Sequence, residues 1–169
     1  QLLNMKQEVI LISGLIEKIG GEAIVTHRKA GYNPMVATVH LTDHRSAFQY
    51  LMQLLKEEPR IDAIGHRMVH GGTRFTAPTL ITKEVMDVVR EYSEFAPLHN
   101  AANLQGVDAC MQVFGVSVPQ VAVFDTAFHR GLPDHAYLYP LPYRYYENYG
   151  IRKFGFHGIS HRYASDVRK

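Results

Sequence analysis

The sequence of 169 residues has very little of several features that define particular protein classes. It contains no tryptophan and one cysteine, Cys110, which excludes an internal disulfide framework and favours a reducing compartment. Its apolar runs are all shorter than the roughly 20 residues that a membrane-spanning helix requires. There is no dense lysine or arginine tract, and the formal net charge is only +2. We therefore expect a cytoplasmic protein that binds neither nucleic acid nor a membrane.

The residues that are present have the pattern of an α/β domain. The apolar fraction of 46% and the charged fraction of 20% are typical of a globular protein with a buried core. Apolar patterning predicts four early strands, over residues 1–5, 9–16, 22–28 and 35–41. Helical spacing follows, and Thr42 or Asp43, Thr82 and Asn100 are predicted to cap three helices. The apolar run Pro119–Phe124 predicts a buried parallel strand, and the whole pattern predicts a mixed sheet.

Two charged residues lie where predicted strands end. Asp125 directly follows the buried strand, where a carboxylate can hold a hydrated cation, accept a proton or orient a water. A helix N-cap is the alternative for this residue. Arg67 lies on a strand that ends in Gly71-Gly72, and its guanidinium suits a bidentate carboxylate or phosphate. A structural ion pair with a core carboxylate is the alternative for Arg67.

Ten histidines raise the question of a metal site. Two pairs are spaced four residues apart: His66 with His70, and His157 with His161. On a helix this spacing places both imidazoles on one face. The zinc-protease pattern requires glutamate directly after the first histidine, but Arg67 and Gly158 occupy those positions. We therefore predict structural histidines rather than a metal site.

The segment Gly155–His161 places two glycines just before a predicted helix. Glycine lets backbone amides, together with the imidazole of His157, approach an anion at the helix N-terminus. The segment lacks the Lys-Ser/Thr ending of a Walker loop. Ser160 beside histidine could suggest a hydrolase, but the Gly-x-Ser-x-Gly nucleophile pattern is absent. An ordinary glycine turn is the alternative for this segment.

Taken together, five segments resemble, in order, the motifs of the acetate kinase family, which belongs to the acetate and sugar kinase/actin superfamily. They are Gly65–Gly72, Phe95–Leu104, Val121–His129, Tyr137–Tyr143 and Arg152–Tyr163. The similarity covers essentially the whole chain. The resemblance implies an α/β fold with a ribonuclease H-like mixed sheet flanked by helices, the first domain of an actin-like ATPase fold.

The resemblance also implies an enzyme, a phosphotransferase that transfers the γ-phosphoryl group of ATP to acetate in the presence of Mg²⁺. Matched position by position, it assigns catalytic roles to Arg67, Asp125 and His157, with Arg67 also binding the substrate carboxylate. It assigns three residues to the apolar pocket around the substrate methyl group: Val69, Leu98 and Phe156. His99 and His161 match further motif histidines. No metal ligand is assigned within this chain, and a homodimer is implied for the full-length protein.

Two positions depart from the family motifs, since Ala101 replaces a proline and Ile159 a threonine. The resemblance implies that residues 1–169 form an N-terminal domain without the family's first strand, its phosphate loop and its second domain. We therefore expect the isolated chain to be inactive. Two other interpretations stay open: a kinase for propionate or another short-chain acid, and a truncated non-catalytic domain that binds a carboxylate or a partner.

Overall fold

The computed structural model describes residues 1–55, 61–94 and 97–167, without the side chains of residues 97 and 98. The chain divides into two compact units, Gln1–Pro59 and Arg60–Lys169. Each unit contains both strands and helices, which confirms the predicted α/β class. Within the described ranges, no helix is both long and apolar enough to cross a membrane.

The first unit is an antiparallel sheet of four strands that follow one another in chain order. The strands are β1 (Leu2–Asn4), β2 (Val9–Glu17), β3 (Gly21–Lys29) and β4 (Met35–Leu41). Alternate residues of β3, Ala23 and Val25, are fully buried, as the period of two along a strand requires. They pack with Leu41 and with Ala47 of helix α1 (His44–Leu55). The early strands are therefore confirmed.

Helix α1 is capped by Asp43, one of the two predicted residues. The Asp43 carboxylate accepts a hydrogen bond from the Ser46 amide at 2.7 Å, and the Asp43 amide donates to the Ser46 hydroxyl at 3.1 Å. This reciprocal arrangement satisfies amides that the first turn of a helix leaves without partners. Hydrogen bonding by Ser46, above all from its backbone amide to the carboxylate, lowers the pKa of Asp43.

The second unit is built on a three-stranded mixed sheet. Strand β7 (Gln120–Phe124) lies between β5 (Ile64–Met68), to which it is parallel, and β6 (Thr79–Leu80), to which it is antiparallel. The mixed sheet predicted for the whole pattern is confined to this unit; its extent was wrong, because the four early strands pair only with one another in a separate antiparallel sheet. Ala122 and Phe124 are buried, which explains the continuous apolar run of β7. Met68 pairs with Phe124, so β5 and β7 end at the same edge.

The second unit also contains helices. They are α2 (Lys83–Glu91), α3 (Pro97–Phe114), α4 (Asp134–Tyr137), α5 (Arg144–Tyr149) and α6 (Gly158–Val167). Thr82 caps α2 as predicted, and its hydroxyl accepts from the Val85 amide at 3.3 Å. The core of the unit joins residues of the sheet, and Ile81 directly after β6, to residues of α2 and α3: Met68, Ile81, Val89, Leu104, Val107, Ala122 and Phe124.

The prediction that Asn100 caps a helix is wrong. Helix α3 begins three residues earlier, at Pro97, a residue type favoured at the first helical position because it has no N–H to satisfy. Asn100 lies inside the first turn and is fully buried. Its amide nitrogen donates to the carbonyls of His70 and Val89 at 3.3 Å each. The side chain therefore joins α3 to the segments after β5 and within α2.

Candidate active site

The two charged residues at the strand ends form a bidentate ion pair. Asp125 follows β7 directly, and its amide donates to the Met68 carbonyl at 2.9 Å, which extends the parallel ladder by one bond. Arg67 Nη2 donates to Asp125 Oδ2 at 2.6 Å, and Arg67 Nε donates to the two carboxylate oxygens at 3.2 and 3.1 Å. The structural ion pair that was the alternative for Arg67 is therefore present, and its buried carboxylate is the other candidate residue, Asp125.

The two partners differ in exposure. The Asp125 side chain is 2% exposed, whereas that of Arg67 is 58% exposed. Hydrogen bonds to Asp125 raise the pKa of Arg67, so its guanidinium is always charged. A guanidinium has five N–H groups, and the pair uses Nε and one hydrogen of Nη2. Within the described part of the chain the Arg67 side chain makes no other hydrogen bond or ion pair, so its outer edge is open to a ligand.

The loop before α6 is attached to the backbone of Asp125. The Gly158 amide donates to the Asp125 carbonyl at 2.9 Å. A Cβ atom on Gly158 would overlap that oxygen, so this close approach requires glycine. The preceding residue, His157, has φ of 55°, a left-handed conformation that non-glycine residues rarely adopt. The exposed His157 therefore lies one residue from the bond that ties the loop to Asp125.

Of the three residues predicted for the apolar pocket, Phe156 lies in this loop and Val69 precedes His70, whose ring contacts Phe156. Val69 is half-buried, and its amide donates to the Asn103 side chain of α3 at 3.3 Å. Phe156 is 40% exposed, and its ring centroid is 5.6 Å from that of His70, the residue after Val69. The side chain of Leu98 lies outside the described part of the structure. That these three residues form a substrate pocket stays a prediction.

The two further motif histidines occupy different positions. His161 is exposed on α6, with its ring 5.4 Å from that of His129 and 6.4 Å from that of Phe128. It therefore lies over the segment that follows Asp125. His99 is exposed in the first turn of α3. No contact between His99 and the Arg67–Asp125 pair is found among the described residues.

His70 was not singled out for the site, although its motif includes it. It is 2% exposed and packs against the rings of Tyr92, Phe154 and Phe156, with centroids 5.9, 4.6 and 5.6 Å away. Its Nδ1 accepts a hydrogen bond from the Gly72 amide at 3.0 Å. Burial lowers the pKa of His70, which favours the neutral imidazole that can accept this bond.

Acidification is expected to destabilise the second unit through His70. In the unfolded chain this imidazole protonates near 6.5, whereas its folded pKa lies lower. Below about pH 6.5 the unfolded state therefore binds more protons than the folded state. The free energy of unfolding consequently decreases as the pH is lowered. Urea unfolding at about pH 7.5 and about pH 5.5 measures this loss. His70→Asn, which keeps an acceptor near the Nδ1 position, should reduce the pH dependence, whereas the exposed His135→Asn should not. If the free energy of unfolding depended on pH equally in wild type and in His70→Asn, His70 would not be the source of the acid sensitivity.

The described residues do not by themselves form a magnesium site. Among them no group of three or more histidine, cysteine, aspartate or glutamate side chains is arranged to hold a metal ion. The Asp125 carboxylate is already engaged by Arg67. His66 instead bonds to Gln120 on the neighbouring strand, with 2.6 Å between Nε2 and Oε1, and burial lowers the pKa of His66.

An arginine–aspartate pair lies at the ends of adjacent parallel strands, beside a glycine-bordered loop that opens a helix. In an α/β protein this arrangement is a candidate anion-binding site at the sheet edge. The sequence profile of the Acetokinase family matches residues 1–169. The chain belongs to the acetokinase family. Among its relatives, the acetate kinase of Thermosipho africanus is 49% identical over 175 residues, which cover 98% of this chain and 42% of that protein.

Solved structures of acetate and propionate kinases match the fold of this chain. The crystal structure of Porphyromonas gingivalis acetate kinase matches with a TM-score of 0.87 and 38% identity, over 98% of this chain and 44% of that one. A propionate kinase from Francisella tularensis matches with a TM-score of 0.90 and 36% identity, over 98% and 43%. These kinases have an actin-like ATPase fold, so the predicted fold is confirmed. The chain spans less than half the length of the relatives it matches.

Proposed function

We propose that residues 1–169 are the N-terminal domain of a cytoplasmic acetate kinase, a homodimer that phosphorylates acetate with ATP and Mg²⁺. The observation that carries this proposal is the Arg67–Asp125 pair, whose guanidinium keeps an open edge for a carboxylate. Relatives named acetate kinase support acetate as the acceptor. Because those relatives extend well beyond the matched region, the activity is proposed for a longer protein that contains this chain.

In this mechanism Arg67 binds the acetate carboxylate and Asp125 fixes the arginine. The guanidinium is planar, so bonding Nε and Nη2 to Asp125 also fixes the directions of the remaining N–H groups. The outer edge, formed by Nη1 and Nη2, matches the two oxygens of one carboxylate. Such a clamp holds the acceptor in line with the phosphoryl group, and positioning is a main source of catalysis in phosphoryl transfer.

The acceptor needs no base, because the acetate carboxylate is ionised at neutral pH. One acetate oxygen forms the new bond to the γ-phosphorus of ATP. The bond from that phosphorus to the β,γ-bridging oxygen breaks, and ADP leaves with the electron pair. Asp125 is therefore assigned to orient Arg67 rather than to remove a proton. No step is assigned to Mg²⁺, since the described residues do not form its site.

His157 is proposed to donate an imidazole N–H to the transferring phosphoryl group. Negative charge is spread over the equatorial oxygens in the transition state, and a preorganised donor stabilises it there. The exposed side chain and left-handed backbone of His157 support this role, because strained residues cluster at functional sites. His161, in the first turn of α6, and His99 are proposed as secondary members of the site.

Acceptor choice is proposed to depend on the pocket formed by Val69, Leu98 and Phe156. One methylene group changes binding by only about 1–3 kcal/mol in an apolar pocket. A propionate kinase is therefore the second candidate function, and the similarity to a solved propionate kinase favours it.

An acyl-hydroxamate assay on the longer protein tests both candidates. Hydroxylamine traps the acyl phosphate formed from ATP and acetate, propionate or butyrate. Acetate is expected to give the highest kcat/KM. A clear preference for propionate would overturn the first candidate in favour of the second. Absence of product with every acid would overturn both and support a non-catalytic domain.

The 169-residue chain alone is expected to form no hydroxamate above background. The residues assigned to it bind the acceptor and stabilise the transferring group, whereas the relatives extend far beyond the matched region. The longer protein at the same molar concentration is the control. ATP-dependent product from the purified chain would show that these 169 residues suffice for the reaction.

A further inference from the structure

His129 bonds to the backbone of the loop that carries His157. It lies in a short 3-10 turn (Ala127–Gly131) that follows Asp125. Its Nε2 is 2.9 Å from the Phe156 carbonyl oxygen. Because a carbonyl can only accept, Nε2 must carry the hydrogen and donate it.

The ring of His129 is confined on several sides. A Cβ atom on Gly155 would overlap this ring, so the loop backbone lies directly against it. The ring is also edge-on to Phe128 and His161, with centroids 5.3 and 5.4 Å away. These contacts leave the imidazole little freedom to turn away from the Phe156 carbonyl.

The two bonds at this loop fix the peptide planes on both sides of His157. Each peptide unit is planar, so two dihedral angles define the orientation of a residue between its neighbours. The plane before His157 includes the Phe156 carbonyl, which accepts from His129. The plane after it includes the Gly158 amide, which donates to the Asp125 carbonyl at 2.9 Å. The left-handed φ of 55° at His157 is therefore held from both ends.

We propose that His129 is a positioning residue for His157. It acts by donating to the Phe156 carbonyl, and so keeps His157 in the left-handed conformation that aims its imidazole at the transferring phosphoryl group. This inference rests on the function proposed for His157. It assigns to His129 no contact with substrate, and it predicts a change in turnover rather than in acetate binding, because Arg67 is held independently by Asp125.

Two substitutions separate the hydrogen bond from the ring. His129→Phe keeps an aromatic ring but has no donor, whereas His129→Gln keeps an amide N–H at a similar reach. In the longer protein, His129→Phe is expected to lower kcat by at least about 10-fold, with the KM for acetate within about twofold of wild type. His129→Gln should recover most of kcat. His135→Phe, at an exposed position of α4, is the matched control and should leave kcat unchanged.

Hydrogen exchange of peptides spanning residues 155–160 tests the same bond without reference to activity. His129→Phe should speed exchange in these peptides by about 10-fold, and His129→Gln should stay near wild type. If the wild-type protein makes no acyl phosphate, the proposed function fails. The exchange experiment then still shows whether the bond from His129 to the Phe156 carbonyl holds the loop. Unchanged exchange in His129→Phe, or equal kcat in the Phe and Gln variants when both are folded by circular dichroism, would overturn the role of His129.

Discussion

Arg67→Ala in the longer protein is expected to lower kcat/KM for acetate by about 1,000-fold. The open edge of this guanidinium offers two charge-assisted hydrogen bonds to the acceptor, at about 2 kcal/mol each. Their loss together corresponds to about three powers of ten in rate. The change also leaves the buried Asp125 carboxylate without its counter-ion, which adds a negative charge beside an anionic substrate. The hydroxamate assay with varied acetate measures this loss.

Two further variants test whether the loss is specific to the guanidinium of Arg67. Arg67→Lys keeps the charge but not the planar fork, so an intermediate loss of about 10-fold to 100-fold is expected. Arg90→Ala is the matched control, because Arg90 is also 58% exposed and also bonds a carboxylate, that of Asp87, at 2.6 Å. It should change kcat/KM by less than about twofold. A near-normal rate for Arg67→Ala would show that the assignment of Arg67 is wrong.

The positions of the two charged residues could be predicted because strand ends have a local signal. The buried apolar run before Asp125 and the glycines after the strand of Arg67 mark where each strand stops. Their pairing could not be predicted in the same way. It depends on the register that sets Met68 beside Phe124, across 56 residues of chain. The sequence therefore offered two separate candidates, and the sheet joins them into one bidentate pair.

The residues that support the site were missed for a different reason. Asn100, His70 and His129 all bond to backbone groups: the carbonyls of His70 and Val89, the amide of Gly72 and the carbonyl of Phe156. Every residue has such groups, so no residue type elsewhere in the sequence marks the partner. For Asn100 this led to the wrong prediction of a cap, since asparagine is also a frequent cap residue. Only the tertiary fold distinguishes the two uses.

The left-handed backbone of His157 was also not predicted. Glycines normally mark positions with positive φ, and the two glycines of the motif flank Phe156 and His157. In the structure the two glycines instead allow close packing, of Gly155 against the His129 ring and of Gly158 against the Asp125 carbonyl. The residue with the left-handed backbone is His157. The glycine signal thus identified the right loop, but not the residue that carries the strain.

Gly158→Ala is expected to have the second large effect, on stability and on turnover together. Its Cβ would overlap the Asp125 carbonyl oxygen and lie 2.9 Å from Phe128 Cβ. This carbonyl belongs to Asp125, directly after β7. Asp125 cannot move away from the new Cβ without breaking the hydrogen bond from its amide to the Met68 carbonyl. Overpacking costs about 1–3 kcal/mol, and the lost Gly158 hydrogen bond adds about 1 kcal/mol. We expect a loss of about 2–4 kcal/mol in urea unfolding followed by circular dichroism.

The same substitution should lower kcat in the longer protein by at least about 100-fold, because His157 shifts when its following peptide plane is displaced. Gly131→Ala is the matched control: it lies in the same unit, and a Cβ there meets no atom within 4 Å. It should change the free energy of unfolding by less than about 0.5 kcal/mol and leave kcat near wild type. If Gly158→Ala behaved like Gly131→Ala, the bond between the loop and Asp125 would not be what holds His157 at the site.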